Sequence, residues 1–420
     1  MLVPLSDVVV LGRDSDADLH KSIERIIKAL REQAKLGKNS HKEVHYRERL
    51  HRLANMLRRD TLCEEFPDEE EEHAFELFSR LNKGGTSLSA GDVEAARLAS
   101  AATRGIVGPM RALAAEREMR TLGVNFVFML RALVTVHRGN SSFSKLPRNW
   151  ADDKAEVEAS WKRTEQALRG TVRFVRTEIG WMTRRWLPST MALIPVVYLL
   201  AKAGSCDLKG TDAQYVKRYL LVSGLRSLFR GATETAVNTF VNAVRDTKGD
   251  RGRLARALCE RIPKNRLFKI RKDDVRATTG MYSPLMQTYL AYLYSIEGKS
   301  WSSCRSLRDV LQEGLPGDPL AVHHIFPKKF MTVIDLPLER ANVVPNYAIL
   351  SQPDNATLGD LQPLDMWRSL KQNQKECASA QLFFDQLPGG AGAMAAGAQY
   401  GAFLGDWGIE MDELPELPPQ

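Results

Sequence analysis

Residues 152–184 form one long amphipathic segment whose spacing is that of an α-helix. Apolar side chains recur along it at intervals of three, four and seven residues, at Trp161, Leu168, Val172, Val175, Ile179 and Met182. Similar patterns predict further helices at about 189–203, 212–230 and 232–247, and two basic helices within residues 16–60. The chain is therefore expected to be almost all helix as far as residue 297.

A smaller domain with some strand is predicted from residue 298, where the sequence becomes rich in turn residues. In it, "AVHHIF" predicts a strand that runs into a loop at Pro327, "NYAILS" a second strand, and "PDNATLGDL" the start of a helix. This order would bring side chains of the first strand and of the helix to one point. The expected fold class is α+β, predominantly α-helical.

Several features of the sequence indicate where in the cell the protein is located. The tail, residues 391–420, is rich in Gly, Ala and Pro and is expected to be partly disordered. The N-terminus does not resemble a secretory signal, and the segment around Pro188, Pro195 and Lys202 predicts a buried helix rather than a membrane span. Five scattered cysteines without metal or redox spacing predict free thiols. We expect a cytoplasmic protein without a membrane partner.

A formal net charge of +8 favours a polyanionic partner, either nucleic acid or an anionic membrane surface. Residues 248–274 carry ten Lys or Arg and two acids before a closing Asp pair. They are predicted to lie along a DNA backbone, although a solvated helix face would have the same composition. The predicted contacts in this stretch are Arg266, Lys269 and Arg271. Three tryptophans in helical segments are expected in the core rather than as base-stacking platforms, namely Trp161, Trp181 and Trp186.

The adjacent histidines of "AVHHIFPKKF" are the main candidates for chemistry. The His323 imidazole and the Asn355 amide oxygen could hold one divalent cation, with water and phosphate oxygens completing its shell. His324 could then take a proton from water, because its ordinary pKa lies near operating pH. Lys328 and Lys329 could hold neighbouring phosphates.

Neighbouring side chains on a regular strand point to opposite faces, so both histidines can serve one site only if the backbone departs from regular extension there. The plainer interpretation is that one histidine is packed and the other is solvated. A zinc site is less favoured, because no cysteine lies near the pair in the sequence.

The segments "VHHIFPKKF" and "NYAILSQPDN" together resemble the HNH, or His-Me finger, nuclease motif. The resemblance implies a C-terminal ββα-metal HNH domain over residues 298–390 and a Mg²⁺ or Mn²⁺ cofactor. In it, His323 would be a metal ligand and His324 the general base. Asn346 would fix the loop, and Asn355 would be the second metal ligand.

A second resemblance lies upstream. "AFELFSRLNKGGTSLSAGDVEAA" resembles the last recognisable element of the ParB-like N-terminal domain of GmrSD-type (type IV) restriction enzymes. The segments "RWLPSTMALIPVVYLLAKAG" and "KRYLLVSGLRSLFRGATETAV" resemble the helical linker of that family. This implies a ParB-like remnant over residues 1–105, a helical region over 106–297, and then the nuclease domain and tail.

The family's Asp-Gly-Gln-Gln-Arg motif, which carries nucleotide chemistry, is missing from this sequence. The chain is therefore expected to be a version truncated at its N-terminus, and the missing motif argues against an NTP cofactor. Four residues are then either a remnant of the nucleotide domain or purely structural, namely Phe78, Asn82, Gly84 and Gly85.

The sequence thus predicts a metal-dependent HNH endonuclease that cuts modified or foreign DNA in bacterial restriction or anti-phage defence. One alternative is a non-catalytic DNA-binding or regulatory remnant of such an enzyme. A weaker alternative is a toxin that cleaves RNA. A homo-oligomer is compatible with the sequence.

Overall fold

The protein is an α+β chain, predominantly helical, with a small antiparallel two-stranded sheet near its C-terminus. The computed structural model describes residues 16–34, 41–58, 104–143, 146–147, 150, 153–231, 233–263, 269–270, 274, 277, 279–313, 319–333, 337–379, 381 and 410–411. The chain divides into two compact units, residues 1–74 and 75–420.

The first unit contains the helices α1 (Asp16–Ala34) and α2 (His41–Leu57), which confirms the two helices predicted within 16–60. Their contact is apolar at the centre, with buried side chains at Leu19, Ile23, Ile26, Ile27, Leu30, Leu50 and Ala54. The buried Glu43 accepts hydrogen bonds from Arg31 Nε at 3.0 Å and Nη2 at 2.8 Å. A paired charge is far less costly to bury than a lone one, so this ion pair makes the contact specific.

The second unit is built mainly of helices. They are α3 (Arg104–Ala115), α4 (Arg117–Leu122), α5 (Phe126–Arg138), α6 (Lys154–Phe174), α7 (Leu193–Ala203), α8 (Gly210–Leu225), α9 (Thr233–Asp246), α10 (Arg251–Glu260), α11 (Pro284–Ser295), α12 (Leu307–Gln312), α13 (Lys328–Val333), α14 (Gln352–Leu358), α15 (Pro363–Ser369) and α16 (Gln372–Ser379). Short 3₁₀ turns lie at Thr190–Ala192, Leu338–Ala341 and Val344–Asn346. The helices predicted between residues 152 and 247 are confirmed within a few residues, apart from the far end of α6.

The long amphipathic segment starts and stops for visible reasons. Asp153 caps α6 by accepting a hydrogen bond from Glu156 N at 3.0 Å. The helix passes into a π-turn, Val175–Ile179, and ends at Gly180, whose φ of 81° lies in the left-handed region. A Cβ on Gly180 would come within 2.5 Å of the Tyr294 ring, so glycine is needed both for the turn and for the close approach.

The most apolar segment, α7, is a buried helix as predicted, and its residues Leu193 to Ala201 are all buried. None of the described helices is long and apolar enough to cross a membrane. The three tryptophans predicted in the core, Trp161, Trp181 and Trp186, are buried as well. The Trp181 indole N–H donates to the Gln287 carbonyl oxygen at 2.9 Å, which satisfies its polar atom inside the core.

The sheet consists of β2 (Leu320–His324) and β3 (Tyr347–Ser351), paired antiparallel from Leu320 opposite Ser351 to His324 opposite Tyr347. Its two faces are covered by different apolar clusters. Leu320, Val322, Tyr347 and Ile349 join the large helical core. Ala348 and Leu350 face a smaller cluster with Trp301, Ile325, Leu358, Met366 and Trp367. The sheet is therefore a wall between the two clusters. A separate parallel pair joins β1 (Lys269–Ile270) and β4 (Glu410–Met411).

The prediction of free thiols is wrong for two of the five cysteines, because Cys304 and Cys377 form a disulfide with a Cα–Cα distance of 5.7 Å. The fold brings α16 against the turn before α12, and the separation of 73 residues hides this pairing in the sequence. Cys206 and Cys259 are free thiols. Cys63 lies outside the described residues.

Candidate active site

The two histidines lie at the end of β2, in the strand, loop, strand and helix order that the sequence predicts. After β3 the chain turns directly into α14, where Ser351 is the N-cap and its hydroxyl accepts a hydrogen bond from Asp354 N at 3.2 Å. Pro353 and Asp354 are therefore opening residues of the helix, as expected. This tight junction places α14 beside β2.

His323 and Asn355 meet across that junction. His323 Nδ1 lies 3.0 Å from Asn355 Oδ1, and the ring is buried with its edge against Trp301. Because an amide oxygen only accepts, Nδ1 carries the hydrogen in this arrangement. His323 Nε2 is buried and makes no hydrogen bond within the described part of the chain. The structure thus brings together the two residues predicted as metal ligands.

His324 has a different asparagine as its partner. Its Nε2 donates to Asn342 Oδ1 at 3.1 Å, and its ring lies edge-on to Tyr347 with centroids 5.0 Å apart. The Tyr347 hydroxyl donates to the same Asn342 oxygen at 3.3 Å. The half-buried His324 is therefore fixed by a side chain from the loop between β2 and β3.

Asn346 lies under the loop that follows β2. Its Oδ1 accepts from Phe326 N at 2.7 Å, and its Nδ2 donates to Phe326 O at 3.0 Å and to Ala341 O at 2.8 Å. Its own carbonyl accepts from Ile325 N at 2.9 Å. The side chain is buried with all these partners satisfied. Asn346 therefore joins the backbone of the loop after β2, at Phe326, to the 3₁₀ turn that ends at Ala341.

The departure from regular extension that a shared site requires does not occur within β2. Pairing continues through both residues, with His323 opposite Ala348 and His324 opposite Tyr347, so the rings leave on opposite faces. The Asp360 carboxylate, just beyond α14, slightly opposes the lowering of the pKa of both histidines that burial causes.

Burial has the larger effect on both rings. Desolvation lowers the pKa of His323 and of His324 below the ordinary histidine value, and the hydrogen bonds to Asn355 and Asn342 oppose it. The Lys328 ammonium lowers the pKa of His324 further. Both histidines are consequently held as neutral imidazoles, the form that a metal ligand or a general base needs.

The distance between the predicted ligand atoms is compatible with one small divalent ion. Two ligand atoms at a right angle and about 2.1 Å from a magnesium ion lie about 3.0 Å apart, the separation found between His323 Nδ1 and Asn355 Oδ1. That separation is also the hydrogen bond described above, so metal binding by Nδ1 would require the imidazole hydrogen to lie on Nε2 instead. Among the described residues no three His, Cys, Asp or Glu side chains are grouped as a metal site. A two-ligand site still suits Mg²⁺, which usually keeps several waters.

The cations of the candidate site are Lys328 and Lys329, exposed at the start of α13. Of the other predicted DNA contacts, Arg266 and Arg271 lie outside the described residues, and Lys269 is described only as backbone in β1. Two arginines of α10 are engaged by the protein itself: Arg251 with Asp212 and Arg256 with Glu260. Phe78, Asn82, Gly84 and Gly85 also lie outside the described residues.

The contacts of three residues at the site have no counterpart in the sequence prediction. Asn342 binds His324, and Asp354 binds the 300–303 turn. Gln381 pairs with both the N–H and the carbonyl of Ile349, at 2.7 and 2.9 Å, in the manner of a third strand. The only sequence feature that could have pointed to Asn342 as a partner of His324 is the position of its amide side chain, four residues before Asn346.

Comparison with models of known protein families and with curated proteins finds no match to this sequence.

Proposed function

We propose that the chain is a divalent-metal-dependent HNH endonuclease that hydrolyses DNA phosphodiester bonds, with residues 298–390 as a ββα-metal nuclease domain. The observation that carries the proposal is the 3.0 Å approach of His323 Nδ1 to Asn355 Oδ1 between a strand end and a helix start. The loop pinned by Asn346 supports it, because the motif assigns that asparagine to the same task.

The chemistry follows from the types of the residues. His324, held neutral by burial, would take the proton from the water that attacks phosphorus, which requires its ring to reach the face of the sheet that carries His323 and Asn355 once DNA is bound. A metal ion held by His323 and Asn355 would stabilise the charge on the phosphoryl and leaving oxygens. Lys328 and Lys329, exposed in the first turn of α13, would hold neighbouring phosphates.

The biological setting rests on the resemblance to GmrSD-type enzymes alone. On that basis the protein would be cytoplasmic and act in bacterial defence against modified or foreign DNA. Residues 1–105 would correspond to the ParB-like region of that family, and 106–297 to its helical linker.

A second candidate function is a regulatory, DNA-binding remnant of such an enzyme. The observation in its favour is that His323 and His324 leave β2 on opposite faces, which keeps the general base on the other side of the sheet from the predicted metal ligands. If this arrangement persists with DNA bound, DNA binding would survive while catalysis would not.

One experiment separates the two candidates. Supercoiled plasmid is incubated with the full chain in Mg²⁺, in Mn²⁺ and in EDTA, with single-stranded RNA in parallel. We expect metal-dependent nicking of DNA that falls by about 10²-fold or more in His324→Ala and persists in His20→Ala, an exposed histidine of α1. DNA binding without nicking in either metal supports the regulatory remnant, and cleavage of RNA alone supports a toxin.

A further inference from the structure

Asn342 lies at the centre of a closed set of hydrogen bonds around His324. Its Oδ1 accepts from His324 Nε2 at 3.1 Å and from the Tyr347 hydroxyl at 3.3 Å. Its backbone carbonyl accepts from Thr279 N at 2.8 Å. The Tyr347 hydroxyl shares its single hydrogen between Asn342 Oδ1 and Thr279 O, which lies 3.1 Å away. The asparagine is therefore fixed at both its backbone and its side chain by groups outside its own loop.

The chemical effect of this contact is on the tautomer of His324. A neutral imidazole carries one hydrogen, and the nitrogen that carries it is set by the hydrogen bond made there. An amide oxygen cannot donate, so Asn342 Oδ1 requires the hydrogen on Nε2. The lone pair then lies on Nδ1. The Tyr347 ring, edge-on to His324 at 5.0 Å, limits rotation of the imidazole.

We infer that Asn342 is a positioning residue, which holds His324 in the Nε2–H tautomer so that Nδ1 is the atom that accepts the proton from water. The inference deepens the nuclease proposed above and rests on it for the catalytic consequence. The tautomer itself is a property of the resting chain. Thr279 and Tyr347 hold Asn342 in place through their hydrogen bonds to its backbone carbonyl and to its side chain.

The tautomer is measured directly by long-range ¹⁵N–¹H correlation spectra of the full chain labelled at its eight histidines, with His324 assigned from a His324→Gln sample. We expect wild-type His324 to carry its hydrogen on Nε2. A hydrogen on Nδ1 in the wild type overturns the inference without any Asn342 variant being needed.

Two variants then test the consequence. Asn342→Leu keeps the approximate shape but removes the acceptor, and we expect mixed tautomers and a fall in nicking kcat of about 10- to 100-fold. Asn342→Asp keeps an acceptor oxygen and should keep the Nε2–H tautomer and nicking within about tenfold of wild type. Asn373→Leu, at an exposed position of α16, is the matched control.

If Asn342 only stabilised the fold, its variants would give a different combination of stability and tautomer. In that case Asn342→Leu would lower the melting temperature but leave the His324 tautomer unchanged, and this result would overturn the inference. A wild-type chain that does not nick DNA would remove the proposed function, whereas the spectra would still decide the tautomer. The two failures are therefore distinguishable.

Discussion

The Asp354 carboxylate and Ser303 are joined by two hydrogen bonds, from Ser303 N at 3.0 Å and from its hydroxyl at 2.9 Å. The same oxygen accepts from the buried Ser300 hydroxyl. Asp354 is itself buried and immediately precedes Asn355. One carboxylate therefore ties the first turn of α14 to the turn that precedes α12.

Removal of this carboxylate should loosen α14. Asp354→Ala leaves the donors of Ser300 and Ser303 without their acceptor, and we expect a loss of about 3 kcal/mol in the free energy of unfolding. Urea denaturation measures it. Asp365→Ala, at an exposed position of α15, should change the midpoint little. Equal midpoints for the two variants would contradict the role of Asp354.

Asn346 should be similarly sensitive to substitution. Asn346→Leu removes one acceptor and two donor bonds to Phe326 and Ala341, and we expect about 2–4 kcal/mol of destabilisation together with loss of nicking. Thermal unfolding followed by circular dichroism gives the stability term. A variant as stable as wild type would show that the loop is held by other contacts.

The predicted ligand Asn355 is tested by metal binding. Loss of a second-shell partner lowers metal affinity by about 10- to 100-fold, so loss of a direct ligand should lower it by at least about 100-fold. Mn²⁺ titration followed by electron paramagnetic resonance compares Asn355→Ala with Asn373→Ala, an exposed asparagine of α16. Unchanged Mn²⁺ affinity in Asn355→Ala would remove it from the site.

Acid should destabilise the protein through its buried histidines. Burial lowers the pKa of His137, His323 and His324 in the folded chain. The unfolded chain takes up protons first as the pH falls below about 6.5. Their contribution is thus complete above that pH and is lost as the pH falls through the lower folded pKa values.

We therefore expect a lower melting temperature at about pH 5.5 than at about pH 7.5, on either side of the ordinary histidine pKa. His137→Gln should reduce this difference, and His20→Gln, at an exposed position, should leave it unchanged. A melting temperature that is constant or rises on acidification would contradict the effect of burial.

Reduction should also weaken the fold. The Cys304–Cys377 disulfide closes a loop across 73 residues, which corresponds to about 4 kcal/mol of stabilisation by restriction of the unfolded chain. We expect Cys304→Ser, or added reductant, to lower the denaturation midpoint. Cys206→Ser, at an exposed free thiol, serves as the control. Equal midpoints with and without reductant would mean that the bond does not form in solution.

Most of the fold could be predicted from patterns within short stretches of the sequence. The helices between residues 152 and 247, the buried α7 and the order of β2, β3 and α14 were predictable because periodicity, capping residues and prolines act over a few residues. The sequence also singled out His323 and Asn355, which lie in contact, and Asn346, which binds the loop after β2. Each of these signals is contained in a short stretch of sequence.

Contacts over longer separations could not be predicted in this way. Asn342 reaches His324 from an irregular loop, 18 residues further along the chain. The disulfide joins segments whose spacing carries no motif. Contacts between such distant segments depend on how the helices pack against one another. That packing cannot be read from the pattern of a single sequence.

The two-sided burial of the β2–β3 hairpin has a consequence for recombination and protein engineering. One face contributes Leu320, Val322 and Ile349 to the helical core, and the other contributes Ala348 and Leu350 to the C-terminal cluster. A fragment that began near residue 298 would expose the first face to water. The β2–β3 pair therefore cannot be moved into another protein by itself. The helices that cover its first face have to be transferred with it.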